Sequence, residues 1–169
     1  VLHNLEEMHK KIDKHTKIVA VIKTDGYGHG ALPIAQEIEH VEYLWGYAVA
    51  TVDEAMLLID DGRKKPILVL GVSFPEHFDA IIRNDIRACV CDFETAKKLS
   101  DIAVAKSKNC HIHIKIDTGM SRIGFQVNED TANTILEISK LPNIIIEGIF
   151  THFANADESD KTPTYAQIE

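Results

Sequence analysis

Apolar runs recur along the chain at intervals too long for hairpins, and this spacing constrains the fold more than any other feature. Six runs rich in β-branched and apolar residues are Ile18–Ile22, Leu44–Ala50, Ile67–Leu70, Ile86–Cys91, His111–Ile116 and Ile144–Phe150. Their first residues lie 19 to 33 residues apart, which leaves room for a helical crossover between successive runs. Such runs are typical of parallel strands covered on both faces. The pattern therefore predicts an α/β fold with a parallel sheet.

The segments between the runs carry helical periodicity and capping residues. Apolar residues recur near helical spacing from Ala31 to Val41, and Asp53 opens another helix that Gly62 is placed to end. Asp92 and Asn128 are predicted as N-caps of the two helices that follow. Further helices are predicted to start near Leu2, Pro75 and Thr162.

Two architectures accommodate this pattern. A doubly wound open sheet usually carries a glycine-rich phosphate loop after its first strand, but the sequence after Ile22 is KTDGYGHG and contains no G-x-G-x-x-G. A (β/α)8 barrel normally needs about 250 residues. Six strands in 169 residues are the length expected of about six βα units. We therefore predict part of a (β/α)8 (TIM) barrel, in a chain that is a piece of something longer.

Composition limits the class of protein. Hydrophobic residues make up 45% and charged residues 26% of the chain, which is the balance of a globular protein. The net charge of −8 argues against a nucleic-acid binder, and no apolar run approaches the roughly 20 residues that span a bilayer. The first residues are charged and lack the apolar core of a secretory signal. Three cysteines favour a reducing compartment, so we expect a cytoplasmic protein without nucleic-acid or membrane partners.

Polar residues directly follow several predicted strands, at the ends where parallel α/β folds build their sites. Lys23 ends the first apolar run, and a partly desolvated lysine there could form a Schiff base, although a strand-end lysine that reaches water is the simpler alternative. The turn that follows contains Tyr27, Gly28, His29 and Gly30. Its tyrosine hydroxyl is a candidate phosphate donor, and its glycines would let a ligand approach the backbone. An ordinary βα turn would explain the same residues.

The fifth run alternates strictly between polar and apolar residues. His111, His113 and Lys115 share one face, and the isoleucines between them share the other. In a barrel the isoleucine face meets the helices, and Lys115 then needs an anionic partner or a modification that removes its charge. The two histidines could ligate a metal, but no third ligand is evident, so no metal site is predicted.

Two further strand ends carry candidate site residues. Arg122 lies in the loop after the fifth run, where its guanidinium could hold a phenolic oxygen, a carboxylate or a carbamylated lysine; a surface arginine is the alternative. His152 closes the sixth run and could stack on a flat ring or orient another side chain, unless it is a hydrogen-bonded core histidine.

Cys89 and Cys91 fall on one strand face and are interpreted as small core residues.

Three segments, taken in order, resemble the alanine racemase family of pyridoxal-phosphate enzymes. VIKTDGYGHG is similar to the family's cofactor-lysine motif, KIDTGMSRIGF to its lysine-and-arginine loop, and THFANAD to its sixth-strand histidine motif. Three separate motifs at compatible spacing are specific, and the match covers nearly the whole chain. The resemblance implies an amino-terminal (β/α)8 barrel followed by a β-rich domain, in a homodimer with pyridoxal 5'-phosphate as cofactor.

The resemblance also implies roles for individual residues. Lys23 would hold the cofactor covalently and serve as one of two catalytic bases, and Tyr27 would bond the cofactor phosphate. Arg122 would hydrogen-bond the phenolic oxygen of the cofactor and contact the substrate, and a carbamylated Lys115 would orient it. Two more cofactor contacts are implied, namely His152 near the pyridine ring and Leu70 at the end of the third strand.

The expected activity is the interconversion of L-alanine and D-alanine by two-base α-proton transfer, which supplies D-alanine for peptidoglycan. The second base, a tyrosine of the other subunit in the family, and the carboxyl-terminal β domain are both expected outside residues 1–169. The chain alone is therefore expected to be weakly active or inactive. A serine or broad-specificity amino-acid racemase of the same fold is an alternative, and so is a non-catalytic pyridoxal-phosphate-binding module.

Overall fold

Helices and parallel strands alternate along the chain in the computed structural model, which describes Val1–Glu169. The chain divides into two compact units, Val1–Ala88 and Cys89–Glu169, each with its own strands and helices. No helix is long and apolar enough to cross a membrane.

The first unit is built on three parallel strands. Its elements are α1 (Leu2–His9), β1 (Ile18–Val21), a helical turn α2 (Lys23–Tyr27), α3 (Ala31–Ile38), β2 (Leu44–Val49), α4 (Val52–Asp60), β3 (Ile67–Val72), a 3-10 turn (Pro75–His77) and α5 (Phe78–Arg83). Strand β2 pairs in parallel with both β1 and β3. Strand β4 (Arg87–Val90) begins in this unit and ends in the next.

The core of the first unit forms because α3 and α4 turn their apolar residues inward. Ala35 on α3 and Leu58 on α4 are fully buried, and so is Tyr47 on β2. The Tyr47 hydroxyl donates to Glu39 Oε2 at 2.6 Å and lies 3.0 Å from the carbonyl of Ala35. Burial raises the pKa of Tyr47, so this buried hydroxyl keeps its proton and ties β2 to α3.

The second unit is built around a central strand. Its elements are α6 (Phe93–Ala105), β5 (Cys110–Asp117), β6 (Phe125–Gln126), α7 (Glu129–Ser139), β7 (Ile144–Phe150) and α8 (Thr162–Ala166). Strand β5 pairs in parallel with β6 and with β7, and the β5–β7 register shifts between Ile112 and His113. Ile112 and Ile114 are fully buried, as the alternating pattern predicts.

The predicted capping residues occupy their places. Asp92 accepts a hydrogen bond from Thr95 N at the start of α6, and Asn128 accepts one from Thr131 N at the start of α7. The helix predicted to start near Leu2 does start there and ends at His9. The two-residue strand β6 was not predicted, because two residues carry no readable periodicity.

Candidate functional site

Lys23 lies directly after β1, at the strand end where the sequence predicts a site. Its side chain is half-buried, and its Nζ lies 5.9 Å from the centroid of the Tyr27 ring. The amine has no hydrogen-bond or ion-pair partner in the structure. Leu70, on β3 of the same unit, has a half-buried side chain. The first unit therefore presents an unpaired amine at the carboxyl end of its first strand.

The backbone that carries Lys23 is unusual because five consecutive residues, from Thr24 to Gly28, have positive φ. Thr24, Asp25 and Gly26 have left-handed dihedral angles, with φ of 50°, 52° and 61°, and Tyr27 follows with φ of 56°. A left-handed conformation costs roughly 1–2 kcal/mol for each residue with a side chain. Gly26 adopts this conformation without that cost because it has no side chain. A Cβ at this position would also lie only 2.7 Å from Ile34. Helix α2 is thus a strained turn that other groups must hold.

Two carboxylates hold this turn. Glu54 on α4 accepts a hydrogen bond from Thr24 N at 2.7 Å through Oε1 and one from Ala50 N at 2.6 Å through Oε2. The same residue completes a capping box with Thr51 at the start of α4. Asp25 accepts from Ala31 N at 2.8 Å and so fixes the start of α3. Lys23 is therefore positioned by contacts that reach thirty residues along the chain.

The backbone N–H groups of this turn are already engaged. Those of Gly26, Gly28, His29 and Gly30 donate to the carbonyls of Ile22, Thr24, Gly26 and Asp25. The His29 ring Nδ1 lies 3.2 Å from the Gly26 carbonyl, so it too contacts the turn. A phosphate would find no open N–H among these four groups, whereas the Tyr27 side chain is 59% exposed. The Tyr27 hydroxyl is therefore an exposed polar group on a turn in which these four backbone N–H groups are occupied.

In the second unit, Lys115 lies near the end of β5 and is buried, with 3% of its surface exposed. Its Nζ donates to the carbonyl of Ile116 at 2.8 Å and lies 5.4 Å from the centroid of the Phe150 ring. Burial lowers the pKa of the Lys115 amine, and the charge of Asp117 opposes this effect only in part. The structure thus supplies the desolvated lysine predicted on this strand, without an ion-pair partner for it.

The loop after β5 is held by Asp117, which is also buried. Its Oδ1 accepts hydrogen bonds from Gly119 N at 3.0 Å and Ser121 N at 2.9 Å, and these bonds keep the pKa of Asp117 below its ordinary value. Arg122 follows in this loop with an exposed side chain. Its charge is close enough to lower the pKa of Lys115. No hydrogen bond or ion pair joins Arg122 to Lys115.

His152 lies just beyond β7 and is exposed, so the interpretation as a core histidine is wrong. Its carbonyl accepts a hydrogen bond from Gln167 Nε2 at 3.2 Å. Gln167 also donates to Thr118 Oγ1 at 2.9 Å and accepts from Ala154 N at 2.9 Å. This glutamine connects the loop after β5 with the loop after β7.

His113 contacts two neighbours on β7. Its Nε2 lies 3.1 Å from Glu147 Oε2, and its ring meets the edge of Phe150 with centroids 6.4 Å apart. Gly148 leaves the space that the ring needs, because a Cβ there would lie 2.7 Å from two ring atoms. The structure contains no group of three or more His, Cys, Asp or Glu side chains that could hold a metal ion.

Sequence reasoning missed three residues that position the site. Glu54 could have been flagged, because T-x-x-E before an apolar run is a capping-box signature, but its bond to Thr24 leaves no trace in the sequence. The anchoring role of Asp117 and the bridging role of Gln167 depend on loop geometry and have no sequence signal.

Comparison with known proteins identifies the family. The family model described as "Alanine racemase, N-terminal domain" matches residues 1–169. The alanine racemase of Clostridium perfringens (strain SM101 / Type A) is 43% identical over 168 residues, which cover 99% of this chain and 43% of that protein. Among solved structures, alanine racemase of Clostridium difficile 630 superposes with a TM-score of 0.95 at 42% identity, over 98% of this chain and 43% of that one.

One of the similar solved structures is named for histidine and not for alanine. The histidine racemase of Leuconostoc mesenteroides subsp. sake superposes with a TM-score of 0.87 at 29% identity, over 98% of this chain and 44% of that one. The chain thus spans about 43% of the length of the curated alanine racemases it matches. The predicted fold, a (β/α)8-type barrel present in part, is confirmed by these matches. The chain belongs to the alanine racemase N-terminal domain family.

Proposed function

We propose that the protein is a pyridoxal-phosphate-dependent alanine racemase and that residues 1–169 are part of its cofactor-binding barrel domain, with a β-rich domain elsewhere in the protein. The observation that carries this proposal is the Lys23 amine. It stands unpaired at the carboxyl end of β1, on a strained turn that two carboxylates hold. Strain of this kind is kept where a site needs a side chain in one particular place.

The residues of the chain fit the cofactor. Lys23 offers an amine without a partner, Tyr27 offers an exposed hydroxyl, and Arg122 offers an exposed guanidinium. The family resemblance assigns the aldehyde carbon of the cofactor to Lys23, its phosphate to Tyr27 and its phenolic oxygen to Arg122, with Leu70 and His152 as two further contacts. Bound pyridoxal phosphate supplies an electron sink that makes the α-hydrogen of an amino acid acidic.

Racemisation then needs a base on each face of the α-carbon. Lys23 serves one face, because its amine has no competing hydrogen bond and can take up or return a proton there. The resemblance assigns the other face to a tyrosine of a second subunit, so we propose that the working enzyme is a homodimer. A cytoplasmic location and a role in supplying D-alanine for peptidoglycan complete the proposal.

Lys115 fits a supporting role through carbamylation. Burial lowers the pKa of its amine, so more of the neutral nucleophile is present than for an ordinary lysine. The neutral nitrogen would add to carbon dioxide and release one proton to solvent, which leaves an anionic carbamate. Arg122 would then have an anion to pair with, and its guanidinium would be held in a fixed orientation. Incubation with 13C-bicarbonate should give a carbamate resonance that is absent in Lys115→Met.

The cofactor assignment is tested by trapping. The protein is incubated with pyridoxal phosphate, reduced with borohydride and digested, and the modified peptide is found by mass spectrometry. Label should sit on Lys23 and disappear in Lys23→Arg. Lys17→Gln removes an exposed lysine at the other end of β1 and should leave the label unchanged. Label spread over many surface lysines, or equal label in the two variants, would contradict the assignment.

Substrate choice is tested separately, with the complete protein. A racemase for serine or for several amino acids is a second candidate, since a histidine racemase shares this fold at 29% identity. L-alanine, L-serine and L-histidine are each incubated with the protein, and the D-isomer is measured by chiral chromatography. Faster turnover of alanine supports the proposal, and faster turnover of another amino acid supports the second candidate. Cofactor label without any racemisation would instead indicate a pyridoxal-phosphate-binding module.

A further inference from the structure

The second unit contains a pair of thiols that the proposed racemase chemistry does not use. Cys89 lies on β4 and Cys91 directly after it, and their sulfur atoms are 3.7 Å apart. Cys89 is 2% exposed, whereas Cys91 is only half-buried and can be reached from solvent. Neither forms a disulfide, and the third cysteine, Cys110, belongs to β5.

The separation of the two sulfurs suits chelation better than oxidation. One pyramidal centre that binds both sulfurs at about 2.2–2.3 Å holds them about 3.4 Å apart, which is close to the 3.7 Å already present. A disulfide would require the two sulfurs to close from 3.7 Å to about 2.05 Å. A single bridging atom therefore joins Cys89 and Cys91 with less movement than a direct sulfur–sulfur bond requires.

Only two thiols are available as ligands, and this number limits which kind of atom can bridge them. A structural zinc site takes four ligands, and the structure contains no group of three or more His, Cys, Asp or Glu side chains that could hold a metal ion. A soft centre that requires only two sulfurs matches this pair. We propose that Cys89 and Cys91 form a dithiol site that chelates a monosubstituted trivalent arsenical.

The binding step conserves oxidation state. An arsenoxide R–As=O reacts with the two thiols to form two As–S bonds, and its oxygen leaves as water with both thiol protons. Cys91 reacts first because it is the accessible thiol, and Cys89 then closes the ring from 3.7 Å away. The contact with the Cys89 thiol lowers the pKa of Cys91, which favours the thiolate needed for this first attack.

The Lys115 amine is close enough to both thiols to interact with them electrostatically. Its positive charge favours a thiolate at Cys91. The binding itself does not depend on the proposed racemase activity.

The test uses phenylarsine oxide with the full chain, in excess monothiol so that single-cysteine adducts are removed. Intact mass spectrometry should find one phenylarsenic group for each chain, and a small dithiol should release it. Cys91→Ser should abolish retention of the group. Cys110→Ser is the matched control, because it removes a cysteine outside the pair, and it should retain the group fully.

Folding is kept separate from binding by recording the circular dichroism melt of each variant. Cys91→Ser changes a half-buried residue and should melt close to the wild type. Cys89→Ala is a second variant in case the serine alters the strand, and it should also lose the group. Retention by folded Cys91→Ser, equal loss in folded Cys110→Ser, or no uptake by the wild type would each overturn the proposal.

Discussion

The Glu54 carboxylate is the group whose loss should most directly loosen the Lys23 turn. Its two oxygens accept hydrogen bonds from Thr24 N at 2.7 Å and Ala50 N at 2.6 Å. Glu54→Gln keeps the size of the side chain but replaces one acceptor oxygen with an NH2 group. One backbone N–H then faces a donor, and the left-handed residue Thr24 loses part of its restraint.

The expected magnitude follows from the kind of bond removed. Hydrogen bonds to charged groups contribute about 1.5–3 kcal/mol. The lower part of this range applies because Glu54 is only half-buried. We expect Glu54→Gln to lower the free energy of unfolding by about 2 kcal/mol. For a chain of 169 residues this corresponds to a fall in Tm of about 4–8 °C.

Two assays check this expectation. Urea unfolding followed by circular dichroism gives the loss of stability, and borohydride trapping gives the yield of cofactor label at Lys23. Glu37→Gln on α3 is the matched control, because Glu37 is exposed and has no hydrogen-bond or ion-pair partner. If the two variants unfold at the same urea concentration and trap cofactor equally, Glu54 does not hold the turn and the reasoning fails.

Three other changes have defined outcomes. Gly148→Ala should cost about 1–3 kcal/mol in thermal unfolding, since the new Cβ would lie 2.7 Å from the His113 ring; an unchanged Tm would show that the ring can move aside. Wild-type stability in carbonate-free buffer should rise with pH between the lowered pKa of Lys115 and its ordinary value of 10.5, because there the unfolded chain binds a proton that the folded chain has released. Lys115→Met should remove that slope in urea titrations, and an identical slope in the variant would contradict the burial argument. Asp117 has its pKa held below 3.8, so its contribution to stability should be lost as pH falls through that lowered pKa, and Asp117→Asn should lack this acid-side loss when unfolding is measured from pH 6 downward.

The strands of this chain are readable from sequence because each is a local apolar run. Ile144–Phe150 is a strand with the bounds of the run itself, and the run His111–Ile116 lies within β5. Strict alternation on β5 also predicts which side chains are buried, since Ile112 and Ile114 meet the core. The pattern of apolar and polar residues is therefore enough to predict a strand and its buried face when the conformation depends on that short segment alone.

The geometry of the site is less readable because it depends on contacts between distant segments. Thr24 and Asp25 have no intrinsic preference for left-handed angles, and their conformation depends on Glu54 and on the start of α3. The sequence does predict that Lys23 lies at a strand end. It could not predict the turn that fixes where its amine lies.

The dependence of α2 on α4 has a consequence for the order of folding. Three side-chain-bearing residues with positive φ make α2 unfavourable on its own, so it should not persist in a nascent chain that lacks Glu54. Residues up to about α4 must leave the ribosome and dock before Lys23 reaches its final place. The amine that we propose for the cofactor would then become competent late, and a chain caught partly folded would not yet present it to an aldehyde.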